Sequence, residues 1–163
     1  MQIIVRKEAR LLLVFCEGRQ QRSYPVTLGR NWAADKAVEG DEATPLGEFY
    51  VCAKNPRSKF FLSMCLSYPN AEDADRGLAA DLITPAEHTA ILEAIHRRTT
   101  PPQRTRLGGE IYIHGEEARA PASADGKASR GTRGTRGCIA LENSAMQELF
   151  ERTAIGSPVI ITP

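Results

Sequence analysis

The chain has 163 residues, 42% of them hydrophobic and 25% charged, with a formal net charge of +1. That length suits one domain, and the ordinary composition excludes a disordered chain, a collagen-like repeat and a multi-pass membrane protein. The near-zero charge argues against a polyanion binder held by bulk attraction, and four cysteines are too few for a disulfide scaffold.

In chain order, the first half reads as β. Ile3–Val5 and Leu11–Cys16 are rich in branched apolar residues, Glu17-Gly18 is a hairpin tip, and Arg22–Leu28 is the return strand, with Pro25 suited to an edge or bulge. Asn31–Thr44 is polar and reads as a loop. Glu48–Ala53 alternates, with Phe49, Val51 and Ala53 expected on one side. Lys59–Leu66 is a further strand, and Tyr68-Pro69-Asn70 breaks the pattern. Thr84-Pro85-Ala86-Glu87 combines a cap, a first-turn proline and a capping box, which predicts a helix to about Arg98 with Ile91, Leu92 and Ile95 inward. Pro101-Pro102 follows its end. Glu110–Ile113 reads as a short strand leading into His114-Gly115. Residues 116–137 form a Gly-, Ala-, Ser- and Arg-rich loop. A second helix is expected over Ser144–Thr153, capped by Ser144 with Gln147 or by Asn143, and Val159–Thr162 is a closing strand. The expected fold is mostly β with short helices, one domain over 1–163.

The termini and cysteines carry less. No basic start, long apolar stretch or cleavage site marks a secretory signal, and no run reaches the length of a membrane span. Such a chain works in the cytoplasm or is a form without its leader. No cysteine pair has C-x-x-C spacing. Cys16, Cys52 and Cys65 lie in apolar stretches and read as buried small hydrophobes, with a disulfide between two of them as the minority reading.

Chemistry converges on residues 112–141. His114 ends an apolar strand, and Gly115 after it leaves room for substrate. Cys138 lies between Gly137 and a new apolar run, exposed on one side and anchored on the other. The loop before it is basic: Arg119, Lys127, Arg130, Arg133 and Arg136 face only Asp125 between residues 118 and 137. A free thiol has a pKa of about 8.5, and a nearby imidazole or guanidinium lowers it. A thiolate can then attack an amide carbonyl, backbone N–H groups can hold the oxyanion, and a histidine can protonate the leaving amine. Each feature also has a plain reading: a structural histidine, a core cysteine, or an Arg-Gly-Thr repeat that is a solvated loop or an RNA-binding patch.

Ile113-His114-Gly115 followed by Thr135-Arg136-Gly137-Cys138-Ile139-Ala140-Leu141 resembles the signature of the YkuD-type L,D-transpeptidase family. Thr44-Pro45-Leu46-Gly47-Glu48-Phe49, Ser67-Tyr68-Pro69-Asn70, Leu107-Gly108-Gly109-Glu110 and Gly156-Ser157-Pro158-Val159 extend the resemblance over nearly the whole chain. It implies a β-sandwich catalytic domain with no metal or organic cofactor. By position, Cys138 is the nucleophile and His114 the base, and Gly137 and Cys138 supply oxyanion amides. Thr135 matches the position whose backbone carbonyl orients the histidine. Tyr112, Gly115, Arg133 and Arg136 are the expected substrate contacts. The implied substrate is a peptidoglycan stem peptide, cleaved through a thioester with loss of the terminal D-alanine. An amine or water then resolves the acyl-enzyme. A monomer in the periplasm or cell envelope, without a nucleic-acid partner, is the matching setting.

Two positions depart from the pattern. Arg136 stands where the family often has histidine, and Ala140 where it often has the arginine that holds the donor stem. Arg133 or Arg136 is expected to take over that grip, since a guanidinium binds a carboxylate bidentately. The loop after His114 is also longer than usual, which suits a lid or a partner-binding insertion. A hydrolytic relative, or a non-catalytic wall-binding module on the same scaffold, remains the alternative.

Overall fold

A computed structural model describes residues 1–116 and 134–163. The Arg-Gly-Thr repeat up to Arg133, with Arg119, Lys127 and Arg130, lies outside the described residues, as does the expected lid or insertion.

Eight strands form one curled sheet in the order β3-β2-β1-β8-β4-β5-β6-β7. They are β1 (Gln2–Arg6), β2 (Leu11–Cys16), β3 (Arg19–Pro25), β4 (Gly47–Ser58), β5 (Phe61–Leu66), β6 (Tyr112–His114), β7 (Ile139–Ala140) and β8 (Pro158–Thr162). The hinge of the curl is β4, twelve residues long. Its first residues pair with β8 and the remainder with β5, so it belongs to both halves of the sandwich. The open edge is drawn together beyond β3. Thr27 and Ala140 exchange backbone hydrogen bonds of 2.9 and 2.8 Å, and Gly29 bridges Thr135. Between the halves lies one apolar core, including Ile3, Val14, Phe49, Val51, Met64, Ile113, Ile139 and Val159.

Several sequence expectations shift for local reasons. Glu17 and Gly18 have φ of 51° and 73°, a two-residue tip of the kind that matches strand twist. Pairing therefore resumes at once, with Cys16 opposite Arg19, and β3 starts before Arg22. Ala53 is exposed rather than in register with Phe49 and Val51. The register slips between Val51 and Ala53, and an extra residue in one strand reverses the alternation beyond it. β5 starts at Phe61 because Lys59 and Phe60 form the turn from β4, closed by the pair Ser58–Phe61. β6 starts at Tyr112 because Glu110, at φ 55°, is not extended.

Three helices occur among the described residues. α2 (Pro85–His96) has the capping box expected at Thr84 and Glu87. α3 (Asn143–Arg152) has Glu142 at its cap position with no side-chain cap, so neither Ser144 nor Asn143 caps it. The Asn143 side chain instead accepts the Glu116 N–H at 2.8 Å. α1 (Ala71–Ala79) was not anticipated. It starts with a reciprocal box between Asn70 and Asp73 and packs on α2 around Ala74, Ile83, Ile91 and Leu107. No helix among the described residues is long and apolar enough to cross a membrane.

Candidate active site

β6 and β7 run parallel, with Ile113 opposite Ile139 and His114 opposite Ala140. Aligned residues on neighbouring strands share a sheet face, and the faces alternate along each strand. Cys138, just before β7, is therefore level with Tyr112, on the same face as His114. On the other side of β6, Ser63 and Cys65 of β5 face His114 and Tyr112. One face thus gathers Ser63, Cys65, Tyr112, His114 and Cys138, while Met64, Ile113 and Ile139 point into the core. Residues 114 and 138 are distant in sequence but become diagonal neighbours because a parallel pair needs a long connection.

His114 is buried, and its Nδ1 lies 2.6 Å from the Gly115 carbonyl. A carbonyl can only accept, so Nδ1 carries the proton and Nε2 is left as the acceptor. Burial lowers the imidazole's pKa most, with the Lys59 charge acting the same way and the Gly115 carbonyl opposing. The ring stacks on Phe60 at 4.5 Å between centroids and 27° between planes. The turn between β4 and β5 is therefore part of the site, a placement that no local sequence signal marks.

The Cys138 thiol lies 3.4 Å from the Glu110 carbonyl and receives the Tyr112 N–H. Its pKa is raised. Burial is the main cause and the Glu110 charge adds to it, while the Tyr112 N–H and the Lys36 charge act in the opposite sense. Among the described residues no imidazole or guanidinium is among the groups that lower this thiol.

The turn before Cys138 differs from expectation in two details. The carbonyl that orients His114 belongs to Gly115, whereas the Thr135 carbonyl accepts the Arg30 N–H at 3.0 Å. The Thr135 hydroxyl donates to the Cys138 carbonyl at 2.6 Å and accepts the Gly137 N–H at 3.1 Å. Gly137 therefore already has an acceptor, whereas the Cys138 N–H has none among the described residues. Gly137 has φ of 121°, and a Cβ there would come within 2.7 Å of the Ala43 carbonyl oxygen, so only glycine fits. The side-chain direction at Gly115 is filled: a Cβ there would meet Asn143 Oδ1 at 2.5 Å and the Phe60 carbonyl oxygen at 2.9 Å. Its smallness serves packing.

A cleft of about 680 Å³ opens beside Cys138, with exposed Arg136 on its rim. Its walls mix Lys36 and Arg104 with Glu39, Glu42 and Glu110. None of these five is a site residue expected from sequence, although Glu110 lies in one of the motifs that carry the family resemblance. Lys36, Glu39 and Glu42 lie in the segment read only as a polar loop, where the density of charge was the available signal. Asp41 knots that segment. Burial opposes its charge, but N–H groups of Val38, Ala37 and Ala43 and the Lys36 ammonium hold the carboxyl below its usual range. Arg133 lies outside the described residues. Among the described residues no group of three His, Cys, Asp or Glu is placed to hold a metal ion.

The YkuD family model, described as an L,D-transpeptidase catalytic domain, matches residues 1–161. No curated protein matches. Among solved structures, the helical cell shape determining protein Pgp2 from Campylobacter jejuni is 22% identical, with a TM-score of 0.63 over 98% of this chain and 46% of its own. Bd1075 of Bdellovibrio bacteriovorus is 21% identical, with a TM-score of 0.60 over 99% of this chain and 47% of its own. L,D-transpeptidase 1 of Mycobacterium tuberculosis is 12% identical, with a TM-score of 0.53 over 99% and 60%. This chain spans about half the length of the first two. At these identities the likeness is one of fold.

Proposed function

Because the chain belongs to the YkuD L,D-transpeptidase catalytic-domain family, we propose that it is a cysteine acyltransferase acting on peptidoglycan stem peptides in the cell envelope. The observation that carries this reading is the placement of Cys138 and His114 on one sheet face, with Cys138 lining a charged cleft.

In this mechanism substrate enters the cleft with the carbonyl of its scissile amide over Cys138. The thiol proton passes to His114 Nε2 as sulfur attacks, so the ion pair forms during the reaction rather than before it. The Gly115 carbonyl holds the ring and favours the imidazolium. The tetrahedral oxyanion takes the Cys138 N–H, and Thr135 keeps that turn in shape. The imidazolium then protonates the departing amine of D-alanine, the C–N bond breaks, and a thioester remains. An acceptor amine or water loses a proton to the imidazole, attacks the thioester and restores the thiol. Arg136 and Arg104 are the cations available for the stem's carboxylates, in place of an arginine at position 140.

The test is incubation with tetrapeptide muropeptides, with and without an acceptor amine. Wild type releases D-alanine, and Cys138→Ala releases none. Release retained by that variant overturns the assignment. Products made only with the amine identify a transferase, and tripeptide made without it identifies a carboxypeptidase. One feature favours a second reading, a peptidoglycan-binding module: burial pushes the pKa of the Cys138 thiol up. No turnover, together with sacculus binding unchanged by Cys138→Ala, would establish it.

A further inference from the structure

The site face carries two thiols that acyl transfer does not use. Cys52 is the extra residue where the β4–β5 register slips, and Cys65 on β5 faces that slip. At such a bulge two residues of one strand oppose a single residue of the other, so Cys52 and Ala53 share Cys65 as their opposite. The Cys52 thiol donates to the Cys65 carbonyl at 3.4 Å, and the two side chains are also in hydrogen-bond contact. All four cysteines are free. Cys52 is the bulge neighbour of Ala53, the Cα partner of Cys65, and its thiol already reaches the Cys65 backbone.

The two thiols are not equivalent. Cys52 is half-buried and Cys65 is buried. The hydrogen bond from Cys65 holds the Cys52 thiol down to about 7 against the cost of burial, and the Thr100 hydroxyl and backbone N–H groups add to the effect. The Cys65 thiol is pushed up, first by its contact with Cys52 and then by burial. An attacking thiol works best when its pKa is near ambient pH, so Cys52, also the more exposed, attacks first, and Cys65 resolves once the Cys52 thiolate that raises it has been consumed.

We propose that Cys52 and Cys65 form an oxidisable dithiol site, which reacts with a disulfide-bearing oxidant and closes to an intramolecular disulfide across the β4–β5 bulge. The Cys52 thiolate attacks one sulfur of the oxidant, whose S–S bond breaks and expels a thiolate. Cys65 loses its proton to solvent and attacks the Cys52 sulfur of the mixed disulfide, expelling the second thiolate. Both protein thiols are oxidised, and one external disulfide is reduced to two thiols. The site lies beside the nucleophile: the Cys65 thiol contacts the Tyr112 side chain, and the Tyr112 N–H contacts Cys138.

The experiment uses the whole chain and oxidised glutathione at neutral pH, read by free-thiol count, intact mass and peptide mapping. Wild type is expected to lose the thiols of Cys52 and Cys65 together, retain no glutathione and yield the cross-linked pair of peptides. Cys138→Ala should do the same, so the outcome is independent of whether the chain transfers acyl groups. Cys65→Ser should hold glutathione on Cys52. Cys52→Ser, a change at the more exposed position, should form no bridge. Thiols that all stay free, a Cys65–Cys138 bridge, or glutathione on Cys16 or Cys138 with Cys52 unmodified would each overturn the proposal.

Discussion

At the scale of single residues the site is governed by burial rather than by charge. Cys138 is raised by burial, while Cys52 is lowered by donors from its neighbours to about 7. The sign follows directly. A raised folded pKa leaves less thiolate at any given pH, and a lowered one leaves more. Iodoacetamide should therefore label Cys52 with a midpoint near neutrality and Cys138 only above the ordinary thiol value of about 8.5. Peptide mapping across a pH series checks the order, and a Cys138 midpoint at or below that of a free thiol would contradict it. The Thr135-Arg136-Gly137-Cys138 run was legible in the sequence as a family motif. The partners of its polar groups were not, because they depend on Leu28, Arg30 and Ala43 lying against it.

At the scale of elements, the β4–β5 hairpin supplies more of the site than its sequence suggested. Its turn places Phe60 against the His114 ring, and its bulge sets Cys52 against Cys65. Stacked aromatic pairs contribute about 0.5–1.5 kcal/mol beyond area burial. Phe60→Leu should accordingly cost about 0.5–1.5 kcal/mol of stability and, by loosening the His114 ring, lower kcat with KM nearly unchanged. Kinetics on the muropeptide substrate measure the split. A loss confined to KM would place Phe60 in substrate binding instead. The two capped helices show how local signals differ in legibility. Thr84-Pro85-Ala86-Glu87 packs three start signals into adjacent positions, whereas Asn70 and Asp73 make an equivalent box from residues that are equally common in turns.

At the scale of the molecule, a buried lysine ties the long connection between β3 and β4 to the sheet. Lys7, 1% exposed, donates to the carbonyls of Ala34 at 2.6 Å and Thr44 at 2.7 Å. Burial lowers its pKa, and the charges of Asp35 and Asp41 act against that. The same connection carries Lys36, Glu39 and Glu42 to the cleft wall, so fold stability and cleft shape share this anchor. Lys7→Met should cost about 2–4 kcal/mol, from two carbonyls left without a donor. Urea unfolding measures the loss, and an unchanged midpoint would show that the carbonyls find other partners.

Local chemistry in the chain was enough to determine the strand-rich class, the hairpin tip at Glu17-Gly18, the capped helix from Pro85, and the family, through His114-Gly115 and Gly137-Cys138. These features depend on side-chain periodicity, φ preference and motif spacing, all of which act over a few residues. Tertiary structure alone decided that Ala53 turns outward, that the Cβ side of Gly115 is filled by Asn143 and Phe60, that Gly137's amide is already bonded, and that burial raises the Cys138 thiol. Each of these depends on what a distant segment places within a few ångströms, and desolvation and register are properties of that encounter rather than of the residues beside them in the chain.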